Sequence, residues 1–123
     1  MTTQTSTGYE LFRLAEQYLE DGHPRHVVST LERMDDADLA APAAQRLLAL
    51  AYYRFAALDR AREVAQRLVD ADPTDAESAH LLGRTLTRMN RPDEARQWLR
   101  LAAVLDPRDE HVAYADDAVK IAG

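Results

Sequence analysis

The sequence predicts an all-α protein made of stacked helix pairs. Composition is the first reason: 22 Ala and 16 Leu stand against one Ile and seven Val, a balance that favours helix over sheet. The second is a period of 34 residues. Pro73 and Pro107 lie 34 apart, each after an Asp (Asp72, Asp106), and Pro24 and Pro92 lie twice that distance apart. The third is that a shift by one period aligns the chain without a gap. Leu14, Leu48 and Leu82 coincide, followed by Ala15, Ala49 and Gly83. Tyr18, Tyr52 and Leu86 coincide, then Val27, Ala61 and Ala95, then Leu31, Ala65 and Leu99, then Met34, Leu68 and Ala102. Three units result, 8–41, 42–75 and 76–109, after a polar tail 1–7 and before a C-terminal segment 110–123.

Each unit reads as two helices. In the first, Leu11, Leu14, Ala15 and Tyr18 make one stripe over 8–20, and Asp21-Gly22-His23-Pro24 marks the turn into a helix near 24–34. Pro42 opens the next, near 42–55, and the stripe Ala61, Ala65, Leu68 defines another near 58–70. Thr74-Asp-Ala-Glu77 has capping-box spacing and starts a helix 76–89 with the stripe Ala79, Leu82, Gly83, Leu86. Pro92 suits the first turn of a helix 92–104, where its missing N–H costs nothing. Small residues (Ala15, Ala49, Gly83) let the two helices of a unit approach closely, and Tyr18 and Tyr52 fill space between units. One such hairpin cannot bury its apolar face alone, so neighbours must stack. In 110–122 the stripe Val112, Ala115, Val119, Ala122 with Glu110, Asp116, Asp117 and Lys120 off it reads as a capping helix.

This pattern resembles the tetratricopeptide repeat family, whose 34-residue helix–turn–helix units carry Leu, then Gly or Ala, an aromatic, two Ala positions and a closing Pro. The resemblance covers residues 8–109. The first unit departs from it at Val27, Met34 and Leu39, where Leu39 stands in place of the Pro, and the family's frequent Trp is replaced by Leu11, Gln45 and Ala79. It implies a right-handed superhelical stack of three antiparallel helix pairs whose first helices line a concave groove. The residues so placed are Tyr9, Phe12, Glu16, Leu19 and Glu20 in the first unit, Ala43, Arg46, Leu50, Tyr53 and Arg54 in the second, and Glu77, His80, Arg84, Thr87 and Arg88 in the third, with His111 and Tyr114 extending the line. Such a groove is apolar and acidic at one end and basic at the other. Some family members hold chaperone C-termini with a clamp of Lys and Asn. Phe12, Glu16, Arg46 and Leu50 stand at the matching positions, so that clamp is absent.

Composition excludes much else. The 123 residues suit one domain able to bury roughly two thirds of its unfolded surface. No apolar run approaches the roughly 20 residues of a membrane span, and Met1 to Thr7 has no targeting pattern. With no cysteine there is no disulfide, thiolate metal site or thiol nucleophile. A net charge of -6 argues against nucleic acid as a partner. His23 and His26 flank a proline and read as solvated. Asp70-Ala-Asp72-Pro-Thr-Asp75 lacks the Gly and Glu of a calcium loop and reads as a helix end before an N-cap. Fourteen Arg against a single Lys points to a bacterial, GC-rich genome.

The expected function is therefore a non-enzymatic, cytoplasmic interaction module or scaffold without cofactors. It binds a protein or peptide with acidic and apolar residues through Phe12, Glu16, Leu19, Arg46, Leu50, Tyr53, Arg54, His80, Arg84 and Arg88, because guanidinium groups pair well with carboxylates. The alternative is a self-associating structural protein or regulatory subunit that closes a homodimer through Tyr9, Phe12 and Leu19, which lie off the inward stripe of helix 8–20.

Overall fold

The computed structural model describes residues 7–122, with side chains to residue 118. Every regular element among them is a helix: α1 (Thr7–Glu20), α2 (Pro24–Leu31), α3 (Asp36–Leu39), α4 (Pro42–Arg54), α5 (Leu58–Ala71), α6 (Ala76–Arg88), α7 (Pro92–Leu105) and α8 (Asp109–Ala122). The all-α expectation holds. Two compact units divide the chain, residues 1–57 with α1 to α4 and residues 58–123 with α5 to α8. Of the expected tail, Thr7 already opens α1 and residues 1–6 lie outside the described part.

The period is written into the backbone of the turns. Gly22, Ala56 and Asn90, each 34 residues from the next, have φ of 82°, 67° and 63°. In each turn two amides reach back to the helix end. Gly22 N–H donates to Leu19 O and His23 N–H to Tyr18 O, Ala56 to Tyr53 and Ala57 to Tyr52, Asn90 to Thr87 and Arg91 to Leu86. This paired bonding around a left-handed residue satisfies carbonyls that the helix end would otherwise leave orphaned. Gly22 adopts the left-handed conformation without strain, Asn90 tolerates it, and Ala56 is strained by its Cβ. Pro24 and Pro92 then occupy the first turn of the second helix.

The connections between hairpins repeat less faithfully. At 72–75, Asp72 Oδ1 accepts from the Thr74 N–H and hydroxyl, and at 106–108 Asp106 Oδ2 accepts from the Arg108 guanidinium. The N-cap of α6 is Asp75, not Thr74: its side chain accepts the Ser78 N–H at 3.1 Å. Thr74 is drawn away from the capping role by Asp72. The first hairpin ends differently. α2 stops at Leu31 rather than near 34, and the short helix α3 follows. Leu39 stands where the later repeats have Pro73 and Pro107, so nothing there forbids a further helical turn.

In the unit 1–57, α1 packs on α2, and α4 packs on α1, α2 and α3. Leu11, Ala15, Val27, Leu31, Ala44, Leu47, Leu48, Ala49 and Ala51 are buried there. Leu14, expected to face inward, is 38% exposed, whereas its repeat equivalents Leu48 and Leu82 are buried. The difference lies in neighbours. Leu82 sits in α6 between α5 and α7, whereas α1 packs chiefly on α2 and only lightly on α4. Tyr18 is half-buried against the rings of His26 and His23, 5.0 and 6.4 Å between centroids, within its own hairpin.

In the unit 58–123, α5, α6, α7 and α8 pack each on the next. Their shared core holds Ala65, Val69, Ala79, Leu82, Leu86, Ala95, Leu99, Ala102, Ala115 and Ala118, with Trp98 packed against it. The inward stripe of α8 is His111, Ala115 and Ala118; Val112 is 38% exposed, and Val119 and Ala122 lie beyond the described side chains. The stripe is turned by one residue because His111 is pinned inward, its Nδ1 2.9 Å from Asp106 O. Asp116 and Asp117 face solvent.

Gly83 sets the spacing of α6 and α7. A Cβ placed there meets Leu99 Cγ at 2.5 Å and Leu99 N at 3.2 Å. Gly83→Ala should therefore destabilise by about 1–3 kcal/mol through overpacking, only partly offset by the better helix propensity of Ala. Ala56→Gly should do the reverse and stabilise by about 0.5–1 kcal/mol, because it removes a left-handed Cβ. Urea unfolding of the two variants beside the wild type checks both signs.

Candidate binding surface

The residues expected to bind a partner fall on α1 and α4 in one unit and on α6 in the other. On α1, Tyr9 is 72% exposed, whereas Phe12, Glu16 and Leu19 are half-buried. Glu16 is paired with Arg13, 3.5 Å away. On α4, Arg46, Leu50 and Tyr53 are half-buried and Arg54 is exposed. Of the three residues expected to close a dimer, only Tyr9 stands clear of its own unit. Nearby, the Arg25 guanidinium lies 4.5 Å from the centre of the Phe55 ring, a cation–π contact near the turn at Ala56.

The second unit brings more chemistry together. His80 on α6 is only 6% exposed and lies under the first turns of α8. Its ring is 4.4 Å from that of His111, tilted by 32°, and 5.0 Å from that of Tyr114, nearly perpendicular. One turn along α6, the Arg84 guanidinium lies 4.8 Å from the Tyr114 ring centre. Glu110 on α8 reaches between the two, with an oxygen 3.6 Å from Arg84 Nη1 and 3.8 Å from His80 Nε2. Arg108 connects this cluster to Glu77 at 3.9 Å. Arg88 is exposed at the far end of α6.

Neither ring nitrogen of His80 has a hydrogen-bond partner. A buried polar group in that condition is costly and calls for an explanation. Its environment also disfavours charge. Burial pushes the pKa of His80 down from 6.5 to about 4; the neighbouring His111, Arg84 and Arg108 push the same way, and Glu110 opposes them. His80 is thus neutral at pH 7.

The other groups singled out in the sequence have local roles. His23 and His26 are exposed and lean on Tyr18. Asp70 accepts from Gln66, Asp72 from Thr74, and Asp75 caps α6, so each carboxylate of that acidic run is engaged within the chain. Asp35 precedes α3 and, by its hydrogen bond and charge, raises the pKa of Asp38. Among the described residues, no helix is long and apolar enough to cross a membrane.

Comparison with known proteins settles the family. A tetratricopeptide repeat profile matches residues 52–116, just over half of the chain. The chain belongs to the tetratricopeptide repeat family. Solved structures agree at the level of the fold. The first TPR domain of the human RPAP3 protein is 16% identical, with a TM-score of 0.84 over 94% of this chain and 91% of that one. The first TPR of Spaghetti (RPAP3), solved bound to the HSP90 peptide SRMEEVD, is 16% identical, with a TM-score of 0.84 over 95% and 94%. MamA is 20% identical, with a TM-score of 0.74 over 92% and 77%. None of the curated proteins matches the sequence.

Sequence reasoning missed Glu110 as a partner of Arg84, and the depth at which His80 and His111 lie. One more step of the tetratricopeptide period exposes the relation. It carries Glu77 to His111 and His80 to Tyr114, so α8 occupies the place of a fourth first helix and lays the rings of His111 and Tyr114 on His80 of α6.

The depressed pKa of His80 has a consequence for stability. The unfolded chain takes up a proton near pH 6.5, whereas the folded chain resists until about 4. Stability is therefore full above pH 6.5 and falls as the pH drops through that window, by up to about 3 kcal/mol from this group. His80→Phe keeps a ring on His111 and should flatten the fall. Thermal unfolding midpoints of both proteins, measured across pH 4–7, check it.

Proposed function

We propose that the chain is a protein–protein interaction module that holds an acidic segment of a partner protein, with the anchor in the α6–α8 cluster of the second unit. The observation that carries this reading is the Arg84 guanidinium on the Tyr114 ring, beside Glu110 at a distance too long for a hydrogen bond. A planar cation braced by an aromatic face suits a carboxylate, which can accept two parallel hydrogen bonds from it. Arg88, one turn further along α6, extends the positive face. The family relation supports binding as the general task, and the Spaghetti domain with its acidic peptide is a structural relative that performs it. Fold alone names no partner, and this one is described only by its chemistry.

In the first unit, Phe12, Leu19, Leu50 and Tyr53 supply apolar surface, and Arg46 and Arg54 supply charge, for a second contact with the same kind of partner. A second reading rests on Tyr9, 72% exposed on α1 and on the same side of the helix as Phe12 and Leu19: that face closes against another copy of the chain.

One experiment separates the two. The wild type and an Arg84→Glu, Arg88→Glu variant are used as baits in lysate of the source organism, and retained proteins are identified by mass spectrometry. A protein held by the wild type and lost by the variant is the expected result, with circular dichroism confirming that the variant is folded, because Arg88 is exposed but Arg84 is half-buried against Tyr114 and Glu110. If both baits retain the same proteins, the α6 site is not the anchor. If each returns only itself, the self-associating reading takes its place.

A further inference from the structure

We infer that His80, Arg84 and Tyr114 form a receptor for a partner's Asp or Glu side chain, that Glu110 is an internal stand-in for that side chain, and that entry of the partner's carboxylate protonates His80. This rests on the interaction-module reading and gives it a chemistry.

The starting point is the buried imidazole. His80 is in van der Waals contact on two sides, with His111 and with Tyr114, and neither of its nitrogens is hydrogen-bonded. Its Nε2 faces the Glu110 carboxylate across 3.8 Å, a gap that a hydrogen bond would close to about 2.8 Å. The same carboxylate stops 3.6 Å from Arg84. Glu110 is held back by its place on the backbone: it is the second residue of α8, whose first turn is fixed when His111 Nδ1 meets Asp106 O. There its charge is also favoured by the N-terminal end of the helix, without close approach to α6. About half of the Glu110 side chain is open to solvent, so it can swing away.

A carboxylate on a mobile peptide has no such tether. It can approach His80 Nε2 and Arg84 together within hydrogen-bonding distance, against the ring of Tyr114. The charges around His80 decide whether its ring then takes up a proton. Arg84 on its own helix, Arg108 in the turn before α8 and His111 on α8 oppose a positive imidazole; Glu110 favours it, though not enough to overcome burial. Glu77 is engaged with Arg108. A second carboxylate in direct contact shifts that balance toward the imidazolium, and the proton comes from the buffer. The cluster then presents two positive groups to one or two carboxylates.

The test uses the full chain with isotope-labelled histidines and two blocked probes, N-acetyl-Glu-Glu-amide and N-acetyl-Gln-Gln-amide, at equal ionic strength and pH 6. NMR follows the His80 ring, and calorimetry in two buffers of different ionisation enthalpy counts protons. The Glu probe should bind at millimolar concentration, raise the pH at which His80 titrates by about two units, so that the ring is about half protonated at pH 6, and take up about half a proton per site. Glu110→Gln should bind it several-fold tighter, Arg84→Gln at least tenfold weaker, and His80→Phe without proton uptake. The inference is overturned if neither probe binds, if the Gln probe moves His80 equally, if no proton is taken up, or if Glu110→Gln binds no tighter. Should the wild-type bait capture a protein that the arginine variant loses while His80 stays silent, the interaction module stands and the proton-coupled receptor falls alone.

Discussion

The closeness of two helices at Gly83 decides how the second unit is arranged. Where α6 has no side chain, Leu99 of α7 fills the space, and its backbone nitrogen comes within 3.2 Å of where a Cβ would be. At the equivalent positions Ala15 and Ala49 are wholly buried. Close approach packs the interior at solid-like density, which is where dispersion and burial are strongest. It also fixes the orientation of α6 about its own axis. Once Ala79, Leu82, Gly83 and Leu86 face inward, His80 and Arg84 lie on the adjoining face, the one α8 comes to cover. The proposed binding chemistry of this unit is thus a by-product of how its core is packed.

The turns carry the repeat more strictly than the side chains do. Leu14, Leu48 and Leu82 share a position, yet one is exposed. Gly22, Ala56 and Asn90 share a position, and all three take the same left-handed conformation with the same two hydrogen bonds although their side chains differ. Backbone bonding explains this constancy. A helix end leaves carbonyls that must find donors whichever residue sits in the turn, and a left-handed residue supplies them in the fewest steps. Ala56 accepts its strain because the alternative is an unsatisfied backbone.

How much of this could be read from the sequence obeys the same division. Helix positions were legible to within a few residues, because proline at the helix starts and a 3.6-residue apolar rhythm are local signals. The end of α2 and the extra helix α3 were not. They depend on the absence of a proline at Leu39, and an absence gives only a weak local cue. The cap of α6 was misplaced by one residue because Thr74 and Asp75 are both good caps, and only the competing bond from Asp72 assigns the role to Asp75. In the cluster between α6 and α8, Arg84, His80, His111 and Tyr114 were all singled out. The reach of Glu110 between two side chains of α6 was not, since an interhelix distance of 3.6 Å depends on the tilt of α8 rather than on any spacing along the chain.

The capping helix also changes what the last hairpin can do. A helix that only shielded the core would be expected to put apolar residues on α6 and α7. α8 does this with Ala115 and Ala118, but it devotes its first turns to a polar layer of Glu110, His111 and Tyr114. That layer covers His80 and leaves it without hydrogen bonds, a cost of about 1–3 kcal/mol that Phe at this position would avoid. A ring placed solely for packing has no use for two nitrogens. The imidazole is a sensible occupant of that place if, in some state of the protein, an acceptor reaches it, and Glu110 at 3.8 Å marks the direction from which one would come.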